Sequence, residues 1–454
     1  MQHELYLWLS KRLYFSISKY FRFYASLVLK RWQPTVIAVI GSAGKSNAQN
    51  LFYTLIKQQY SIRRSHKANS AFAVPLDILN IHIKDYTIKE WTLAALKVPF
   101  YTLYLLAFPF KEKYYICELD VDRPGEMAFF AKFIKPKIIF WVSSYATHTA
   151  NFDKMIKKGR FRNASSAVAS EFAKLFGNRK KLVGIVNGDS KYILEALKDK
   201  RFKRLVVRDR EGLYQFRGWK IYRKRTVYTL LVNKKRYQLE LPFIAPRNFG
   251  YTVLAAYLIK QQLNLNDSSW QKALAEFTFS PGVCSVLSGI NHSRIIDSSY
   301  NSSLYATKSL LEVLAKYPGK RKVAVLGDMR ELGMESKAQH QELAKALLKY
   351  KFDQIVLVGP EMQQYVYPVL NKKYTDTTLH HFNNSYQAGL FIKERLLKPH
   401  DVILLKASQN TLYFEIIAEL LLENPEDKRL LCRRDPVWEN KRLKIREEFY
   451  KLLS

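Results

Sequence analysis

The sequence has few cysteines and no long, uninterrupted apolar run. Its three cysteines are far apart and form no Cys-x-x-Cys pair. This spacing disfavours a zinc site and a disulfide framework, and it is typical of a reducing cytoplasm. Residues 98–110 are very apolar, but they are short and contain prolines, so we expect a buried or interfacial helix there. The sequence therefore predicts neither a signal peptide nor a membrane-spanning segment.

Acidic residues are scarce relative to basic ones. The 454-residue chain has 74 Lys and Arg against 39 Asp and Glu, which gives a formal net charge of +35. Such an excess favours anionic partners: nucleotides, nucleic acid or an anionic membrane surface. Residues 201–242 alternate apolar and basic runs, which predicts an antiparallel patch. This patch could be a nucleic-acid surface or a solvated sheet face, and the second is favoured because no recognised nucleic-acid motif accompanies it.

One short stretch has the pattern of a phosphate-binding loop. Residues 36–40 are β-branched and apolar, which predicts a buried parallel strand, and residues 47–58 have the pattern of a helix. Between them the sequence reads Gly41-Ser42-Ala43-Gly44-Lys45-Ser46. Glycines let backbone N–H groups turn toward a phosphate, a lysine reaches the outer phosphates, and a serine hydroxyl can bind Mg²⁺. An ordinary strand–turn–helix with a chance match is the alternative.

Polar residues also follow the next predicted strands. Residues 114–119 include Glu118 near their end, and residues 137–142 lead into a polar segment that contains His148. Ligands bind at the carboxyl edge of a parallel sheet. We therefore expect Glu118 and His148 to converge on the metal–phosphate site of the loop, although each could instead be structural.

The chain is predicted to be an α/β protein with three parts. Residues 1–33 mix aromatic and basic residues as one or two amphipathic helices, which either lie on a membrane surface or pack on the next domain. Residues 34–285 form a central domain. From residue 286 to 454 the alternation of strand, polar turn and helix restarts, which predicts a second, doubly wound domain.

In their order along the chain, these motifs resemble the Mur ligases. The similar segments are Gly41–Ser46, Glu118 to Gly125-Glu126, Lys135-Pro136 with His148, Asp297-Ser-Ser-Tyr300-Asn301, Val325-Leu-Gly-Asp328-Met-Arg-Glu331-Leu-Gly333 and Lys406-Ala-Ser408. The resemblance implies a central P-loop ATPase-type domain with a parallel sheet, followed by a Rossmann-like ligase domain. It also implies an activity: ATP phosphorylates a substrate carboxylate, and an amine attacks the acyl phosphate to form an amide.

The resemblance further implies roles for individual residues. ATP would be bound by Gly41, Ser42, Ala43, Gly44, Lys45, Ser46, Asp297, Tyr300, Asn301 and Lys406. One Mg²⁺ would be held by Ser46 and Glu118 and a second Mg²⁺ by His148, and the catalytic set would be Lys45, Glu118 and His148. The implied substrates are a UDP-linked muramoyl peptide and D-alanyl-D-alanine, acted on by a monomer in the cytoplasm or at the inner membrane surface.

The sequence also departs from the family pattern. Phe172 stands where the family has a carbamylated lysine, Val283 replaces an arginine, and Ser298 replaces an aspartate. Residues 1–33 are also shorter than the domain with which the family grips the UDP end. Three alternatives therefore stay open: a ligase of the same fold with another acid and amine, such as a polyglutamate-type enzyme; a degenerate, non-catalytic ATP-binding scaffold at the membrane surface; and a nucleic-acid-stimulated ATPase.

Overall fold

A computed structural model describes residues 2–66, 68–83, 87–145, 151–409 and 411–451, with side chains from residue 14 onward except at residue 154. Two compact units can be distinguished. The first comprises the described parts of residues 1–146, 151–215 and 251–277, and the second comprises those of 216–250 and 278–454. Compactness does not by itself define a folding domain, so the boundaries predicted at residues 33 and 285 stay predictions.

The first unit is built on a parallel sheet. Its strands are β1 (Thr35–Ile40), β2 (Ile62–Arg64), β3 (Tyr114–Leu119), β4 (Ile138–Trp141), β5 (Val183–Asn187) and β6 (Lys203–Arg208). Its helices are α1 (Gln2–Trp32), α2 (Lys45–Ile56), α3 (Ala73–Ile78), α4 (Ile88–Ala107), α5 (Glu126–Phe130), α6 (Asp153–Lys157), α7 (Ala164–Ala173), α8 (Lys191–Ala196), α9 (Phe249–Gln262) and α10 (Asp267–Glu276). The strand order is β2-β3-β1-β4-β5-β6, so β3 and β4 flank β1 and their ends meet beside the loop that follows it.

Strand β1 is buried on both faces, as its apolar sequence predicts. Val36, Ala38 and Ile40 belong to one core cluster. Across the sheet, Phe52 of α2 packs on Phe140 of β4 with ring centroids 5.5 Å apart. A strand covered on both faces must be apolar throughout, which explains the continuous β-branched run.

The predicted N-terminal helices form one helix, α1, and its described part packs on the first unit. One side of α1 is buried, and its buried apolar residues are Tyr14, Phe21, Ala25, Val28 and Trp32. Trp32 Nε1 also donates a hydrogen bond of 2.7 Å to the carbonyl oxygen of Glu112. For these side chains, the structure therefore shows packing on the rest of the first unit, which was one of the two arrangements predicted for residues 1–33.

Helix α4 contains Pro99, and α1 compensates for it. The helix predicted over residues 98–110 is observed at Ile88–Ala107, so it begins before the predicted range. Pro99 lies inside this helix and does not end it. Pro99 has no N–H to donate to the carbonyl oxygen of Ala95, four residues before it. That oxygen instead accepts a 2.8 Å hydrogen bond from the hydroxyl of Tyr20 on α1. None of the described helices combines the length and apolarity that a bilayer crossing requires.

Truncating Phe21 should test whether α1 is part of the first unit's core. Phe21 is 1% exposed and lies beside Trp91 of α4, with ring centroids 6.0 Å apart. We expect Phe21→Ala to lower the free energy of unfolding by about 3 kcal/mol in urea denaturation, because it leaves a cavity. Phe23→Ala is the matched control, since Phe23 is 59% exposed. Equal stability of the two variants would contradict the packing of α1.

The prediction of an antiparallel patch over residues 201–242 is only partly correct. Strands β7 (Tyr214–Ile221), β8 (Thr226–Val232) and β9 (Lys235–Leu241) follow β6. Strands β8 and β9 form an antiparallel hairpin whose turn residues, Asn233 and Lys234, have φ of 48° and 69°. Strand β6, in contrast, pairs parallel with β5, because the chain crosses over through α8 between them.

The second unit contains a six-stranded sheet. Its strands are β10 (Ser285–Gly289), β11 (Ser293–Ser298), β12 (Lys322–Gly327), β13 (Gln354–Val358), β14 (Leu379–Phe382) and β15 (Val402–Lys406). Its helices are α11 (Leu304–Lys316), α12 (Ser336–Leu347), α13 (Tyr367–Leu370), α14 (Ser385–Phe391), α15 (Glu415–Leu421) and α16 (Pro436–Lys451). The order is β10-β11-β15-β12-β13-β14, with β10 antiparallel at the edge.

Both faces of this sheet are covered by helices. Ala324 and Leu326 of β12 belong to a core shared with α11 and α12. Val323 and Val325 alternate with them and belong to a second core, shared with α14 and α15. Alternate residues of a strand point to opposite faces, so the sheet is doubly wound. The predicted α/β fold class, a P-loop-type unit with a parallel sheet plus a Rossmann-like unit, is confirmed.

Candidate active site

The loop between β1 and α2 depends on its two glycines. Gly41 has φ of 139°, and a Cβ there would lie 2.8 Å from the carbonyl oxygen of Ser143. Gly44 has φ of 85°, in the left-handed region, where it precedes the first turn of α2. Residues with a side chain rarely adopt these conformations. The loop can therefore approach the end of β4 closely only with glycine at residue 41.

Ser143, just beyond β4, holds the first half of the loop. The amide of Ser42 donates to the Ser143 carbonyl oxygen at 3.1 Å, and the amide of Ala43 donates to Ser143 Oγ at 2.9 Å. No side chain of the described residues caps the N-terminus of α2. The N–H groups of its first turn, including those of Lys45 and Ser46, have no partner within the helix. These groups, with the positive end of the helix dipole, are suited to bind phosphate.

Lys45 is a buried cation at the start of α2. Its Nζ donates to the carbonyl oxygen of Gly41 at 2.7 Å and lies 2.8 Å from Asp120 Oδ2. Burial lowers the pKa of Lys45, but the nearby carboxylates of Asp120 and Glu118 more than offset this, so its pKa is raised above the ordinary value. Lys45 is therefore charged at neutral pH and close to where phosphate oxygens would bind.

Ser46 and Glu118 lie together and could share a metal ion. Ser46 Oγ donates to Glu118 Oε2 at 2.8 Å. Neighbouring ligands of an octahedral Mg²⁺, each at about 2.1 Å, are themselves about 3.0 Å apart. Burial raises the pKa of Glu118, while Lys45 and Ser46 act in the opposite direction. Both oxygens are hard ligands of the kind that Mg²⁺ prefers, so the pair fits this ion.

Asp120 is the group whose importance the sequence motifs did not reveal. It follows β3, two residues after Glu118, and forms the ion pair with Lys45. Its other carboxylate oxygen accepts a 2.8 Å hydrogen bond from the amide of Val121. Its position in a polar run at a strand end was the available signal, but nothing in that run distinguished it from Asp122 as the partner of Lys45.

Removing the charge of Asp120 should weaken the fold and strengthen nucleotide binding. Asp120→Asn would leave the Lys45 ammonium buried without its closest counter-charge, so we expect a loss of about 3 kcal/mol in unfolding free energy. Phosphates would then supply the missing charge, and we expect ATP to bind about tenfold more tightly in isothermal titration calorimetry. Asp122→Asn, which makes the same charge change without that contact, is the control. Unchanged or weaker ATP binding by Asp120→Asn would contradict this assignment.

The second predicted metal site is only partly described. His148 lies outside the described residues, so its role as a ligand stays a prediction. Phe172 is fully buried and packs on Trp141, with ring centroids 5.7 Å apart. Lys174, two residues further along the chain, forms an ion pair with Glu171. Phe172 itself supplies no lysine ligand, and within the described ranges no three His, Cys, Asp or Glu side chains converge as a metal site.

The turn after β3 is held by a buried glutamate and by α1. Glu126 Oε2 accepts hydrogen bonds from the amides of Asp122, at 2.8 Å, and Arg123, at 3.1 Å. The hydroxyl of Tyr14 on α1 donates to Glu126 Oε1. The Arg123 guanidinium lies over the Tyr14 ring, 3.8 Å from its centroid. Burial is the main reason that the pKa of Glu126 is raised to about 7.

Glu126 should make stability fall as the pH rises toward neutrality. Its folded-state pKa of about 7 exceeds the ordinary 4.5, so between these values the folded chain keeps a proton that the unfolded chain has released. Deprotonation of this group alone should lower the free energy of unfolding by about 3 kcal/mol between pH 4.5 and pH 8. Urea denaturation across this range should show the loss in the wild type and a flatter profile in Glu126→Gln. The exposed variant Glu211→Gln should follow the wild type, and parallel profiles for all three proteins would contradict the effect.

In the second unit, four predicted residues come together at the ends of β11 and β15. Lys406 Nζ donates to Ser298 Oγ at 3.2 Å and to the carbonyl oxygen of Asn301. Burial lowers the pKa of Lys406 to about 8. Asp297 is fully buried, and within the described structure its Oδ2 has no hydrogen-bond partner. Tyr300 is half exposed. Lys406 thus holds the turn that carries Tyr300 and Asn301, directly after the strand that carries Asp297.

A residue that the motifs did not single out, Arg433, holds the same turn from the other side. Its guanidinium donates to the carbonyl oxygens of Ser299 and Tyr300, each at 2.8 Å. It also forms a buried ion pair with Glu415, 2.7 Å away. Arg433 therefore positions Tyr300. No sequence motif pointed to Arg433, because it lies far along the chain from the motif that it supports.

The long motif after β12 is mainly structural. Asp328 Oδ1 accepts a 2.9 Å hydrogen bond from the amide of Met362, and His340 Nε2 accepts one of 3.1 Å from the amide of Met329. Ser408 accepts from the amide of Arg330 at 3.0 Å. These contacts join the segments that follow neighbouring strands. Several residues of the motif therefore serve to hold these segments together.

Comparisons with known proteins find similar sequences and similar structures. Residues 284–409 match the family model described as Mur ligase, glutamate ligase domain. The UDP-N-acetylmuramoyl-tripeptide–D-alanyl-D-alanine ligase of Buchnera aphidicola subsp. Acyrthosiphon pisum (strain APS) is 23% identical over 409 residues, 88% of this chain and 79% of that protein. MurF ligase from Thermotoga maritima in complex with ADP has a TM-score of 0.71 at 21% identity, covering 91% and 84% of the two chains. For MurF from Acinetobacter baumannii, crystal structure I, these values are 0.67, 19%, 89% and 80%. The two structures share the fold of this chain.

Proposed function

We propose, from the premise that this chain is a Mur ligase, that it joins an acid to an amine with ATP. Its substrates are a UDP-linked muramoyl tripeptide and D-alanyl-D-alanine, the two compounds in the name of its relative. Its pathway is peptidoglycan precursor synthesis. One observation of the structure carries the proposal. Lys45 and the Ser46–Glu118 pair, 2.8 Å apart, stand at an uncapped helix N-terminus, where ATP phosphates and a metal would bind together.

The reaction proceeds in two steps. A carboxylate oxygen of the acid attacks the γ-phosphorus of ATP, and ADP leaves, so that an acyl phosphate forms. The amine nitrogen then attacks the acyl carbon, inorganic phosphate leaves with the oxygen that the carboxylate supplied, and the amine loses a proton. The first step is needed because a carboxylate is a poor electrophile, and phosphorylation supplies a leaving group.

The first unit's residues act mainly on charge and position. Lys45 Nζ and the amides of the loop would bind the outer phosphates and stabilise the negative charge that develops there. Ser46 and Glu118 would hold Mg²⁺, which when bound neutralises charge on the transferring phosphoryl group. Asp120 would hold Lys45 in place before ATP arrives. We also propose that His148 is a ligand of a second Mg²⁺.

The second unit would supply further contacts to the nucleotide. The buried, unpartnered oxygen of Asp297 and the half-exposed ring of Tyr300 support this proposal, together with Asn301 on the same turn. Lys406 is engaged by three oxygen atoms of that turn, so we assign it the positioning of the turn rather than direct contact with phosphate.

Partners and location follow from the same proposal. We propose a cytoplasmic monomer. Among the described side chains of α1, those on the buried side are used for packing. Any contact of residues 1–33 with a membrane would therefore use exposed residues such as Ile17, Tyr20 and Phe23. No contact among the described residues favours a polyglutamate-type reaction.

A coupled assay of ADP release tests the proposed function. With Mg²⁺–ATP, UDP-linked muramoyl tripeptide and D-alanyl-D-alanine, the purified protein should turn over only when all are present. Lys45→Ala should lower kcat by about a hundredfold or more, because charge on the phosphoryl group loses its nearest cation. Lys57→Ala is the matched control, since Lys57 is exposed and pairs with Glu276. Turnover without the acid or the amine, or full activity of Lys45→Ala, would refute the proposal.

A further inference from the structure

Helix α4 is apolar on its outer side as well as on its inner side. Ala94, Val98 and Thr102 are spaced by four residues and are buried in the first unit. The opposite side exposes a row of large apolar side chains, which comprises Leu93, Leu96, Phe100, Leu103, Tyr104 and, after the helix, Phe108. A helix that is apolar all round is normally covered on all sides. The outer side of α4 therefore calls for a covering partner.

This apolar surface extends onto α1. Tyr20 of α1 donates to the carbonyl oxygen of Ala95 on α4, so the two helices are adjacent there. Ile17 and Phe23, three residues to either side of Tyr20, are 40% and 59% exposed. We name the exposed residues of both helices the α1–α4 face: Ile17, Tyr20, Phe23, Leu93, Leu96, Phe100, Leu103, Tyr104 and Phe108.

An open pocket adjoins the α1–α4 face. It has a volume of about 860 Å³ and lies between α4 and the segment before it, with Ile81, Leu96, Phe100 and Tyr104 among its lining residues. Its lining also includes Lys97. An apolar pocket beside a lysine can accept the acyl chain of a lipid, while the lysine ammonium stays near the lipid headgroup.

Basic side chains border this face. Lys89 and Lys97 are exposed on α4, where Glu90 is half-buried, and Lys111 and Lys113 are exposed just beyond it, on either side of the half-buried Glu112. On α1, Lys19, Lys30 and Arg31 are exposed. An apolar stripe bordered by lysines, with aromatic residues between them, is the composition of a helix that lies in a membrane interface with anionic lipids.

We propose that the α1–α4 face docks on an anionic lipid surface, with α4 lying in the plane of the headgroups. The uncharged stretch of residues 98–110 is too short to cross a bilayer, but it suffices for a helix that lies on one. A second copy of the chain is the less suitable partner, because a two-fold contact would bring the same basic border against itself. This proposal does not depend on the ligase activity.

Vesicle co-sedimentation tests the proposal with the full-length protein. We expect about tenfold stronger binding to vesicles with about one third phosphatidylglycerol than to phosphatidylcholine alone, and weaker binding at high salt. The double variant Phe100→Ser, Leu103→Ser should lose about tenfold in affinity for the anionic vesicles, because it removes apolar area from the interface. Lys111→Glu, Lys113→Glu should lose a similar factor at low salt.

The control variant is Leu213→Ser, Val437→Ser, which changes residues that are 58% and 56% exposed and lie outside the face. It should bind like the wild type, and circular dichroism should show that all variants are folded, since every changed residue is exposed. Three results would overturn the proposal: no preference of the wild type for anionic vesicles, equal binding of the Phe100→Ser, Leu103→Ser variant, or a dimer of the wild type that this variant dissociates.

Discussion

A lysine buried at the start of the helix that follows a central strand constrains the first unit. An ammonium removed from water needs negative charge close to it, and Lys45 finds it in Asp120, 2.8 Å away, and in the Gly41 carbonyl. The loop must therefore turn sharply enough for its own carbonyl to face the start of α2, and β3 must end where its carboxylates surround the lysine. Glycine at residue 41 and the order β3-β1-β4 satisfy both conditions.

The second unit solves a similar problem with different chemistry. Lys406 is also buried, at the end of β15, but its partners are the oxygens of Ser298 and Asn301 rather than carboxylates. The pKa values differ accordingly: that of Lys45 is raised, whereas burial lowers that of Lys406 to about 8. The first lysine is thus suited to neutralise phosphate charge, and the second to hold a turn.

Much of the fold could be predicted from the sequence, because each strand and the loop after it are local patterns. The buried strand, the glycine loop and the helix at residues 35–56 follow from apolar runs and turn residues. The Asp120–Lys45 pair, the support of Tyr300 by Arg433 and the hydrogen bond that compensates for Pro99 could not be predicted. Each joins residues distant in sequence, and no local periodicity reports such a contact. The parallel pairing of β6 was missed for the same reason.

The most direct test of the central claim follows oxygen atoms. If this chain activates a carboxylate by phosphorylation, one oxygen of the acid must leave with phosphate in the second step. The acid substrate labelled with ¹⁸O in the carboxylate should therefore yield inorganic phosphate that carries one labelled oxygen, detected by mass spectrometry or by the phosphorus NMR isotope shift. Product formation with unlabelled phosphate would contradict the acyl-phosphate route and, with it, the assignment of the loop and the Ser46–Glu118 pair to that chemistry.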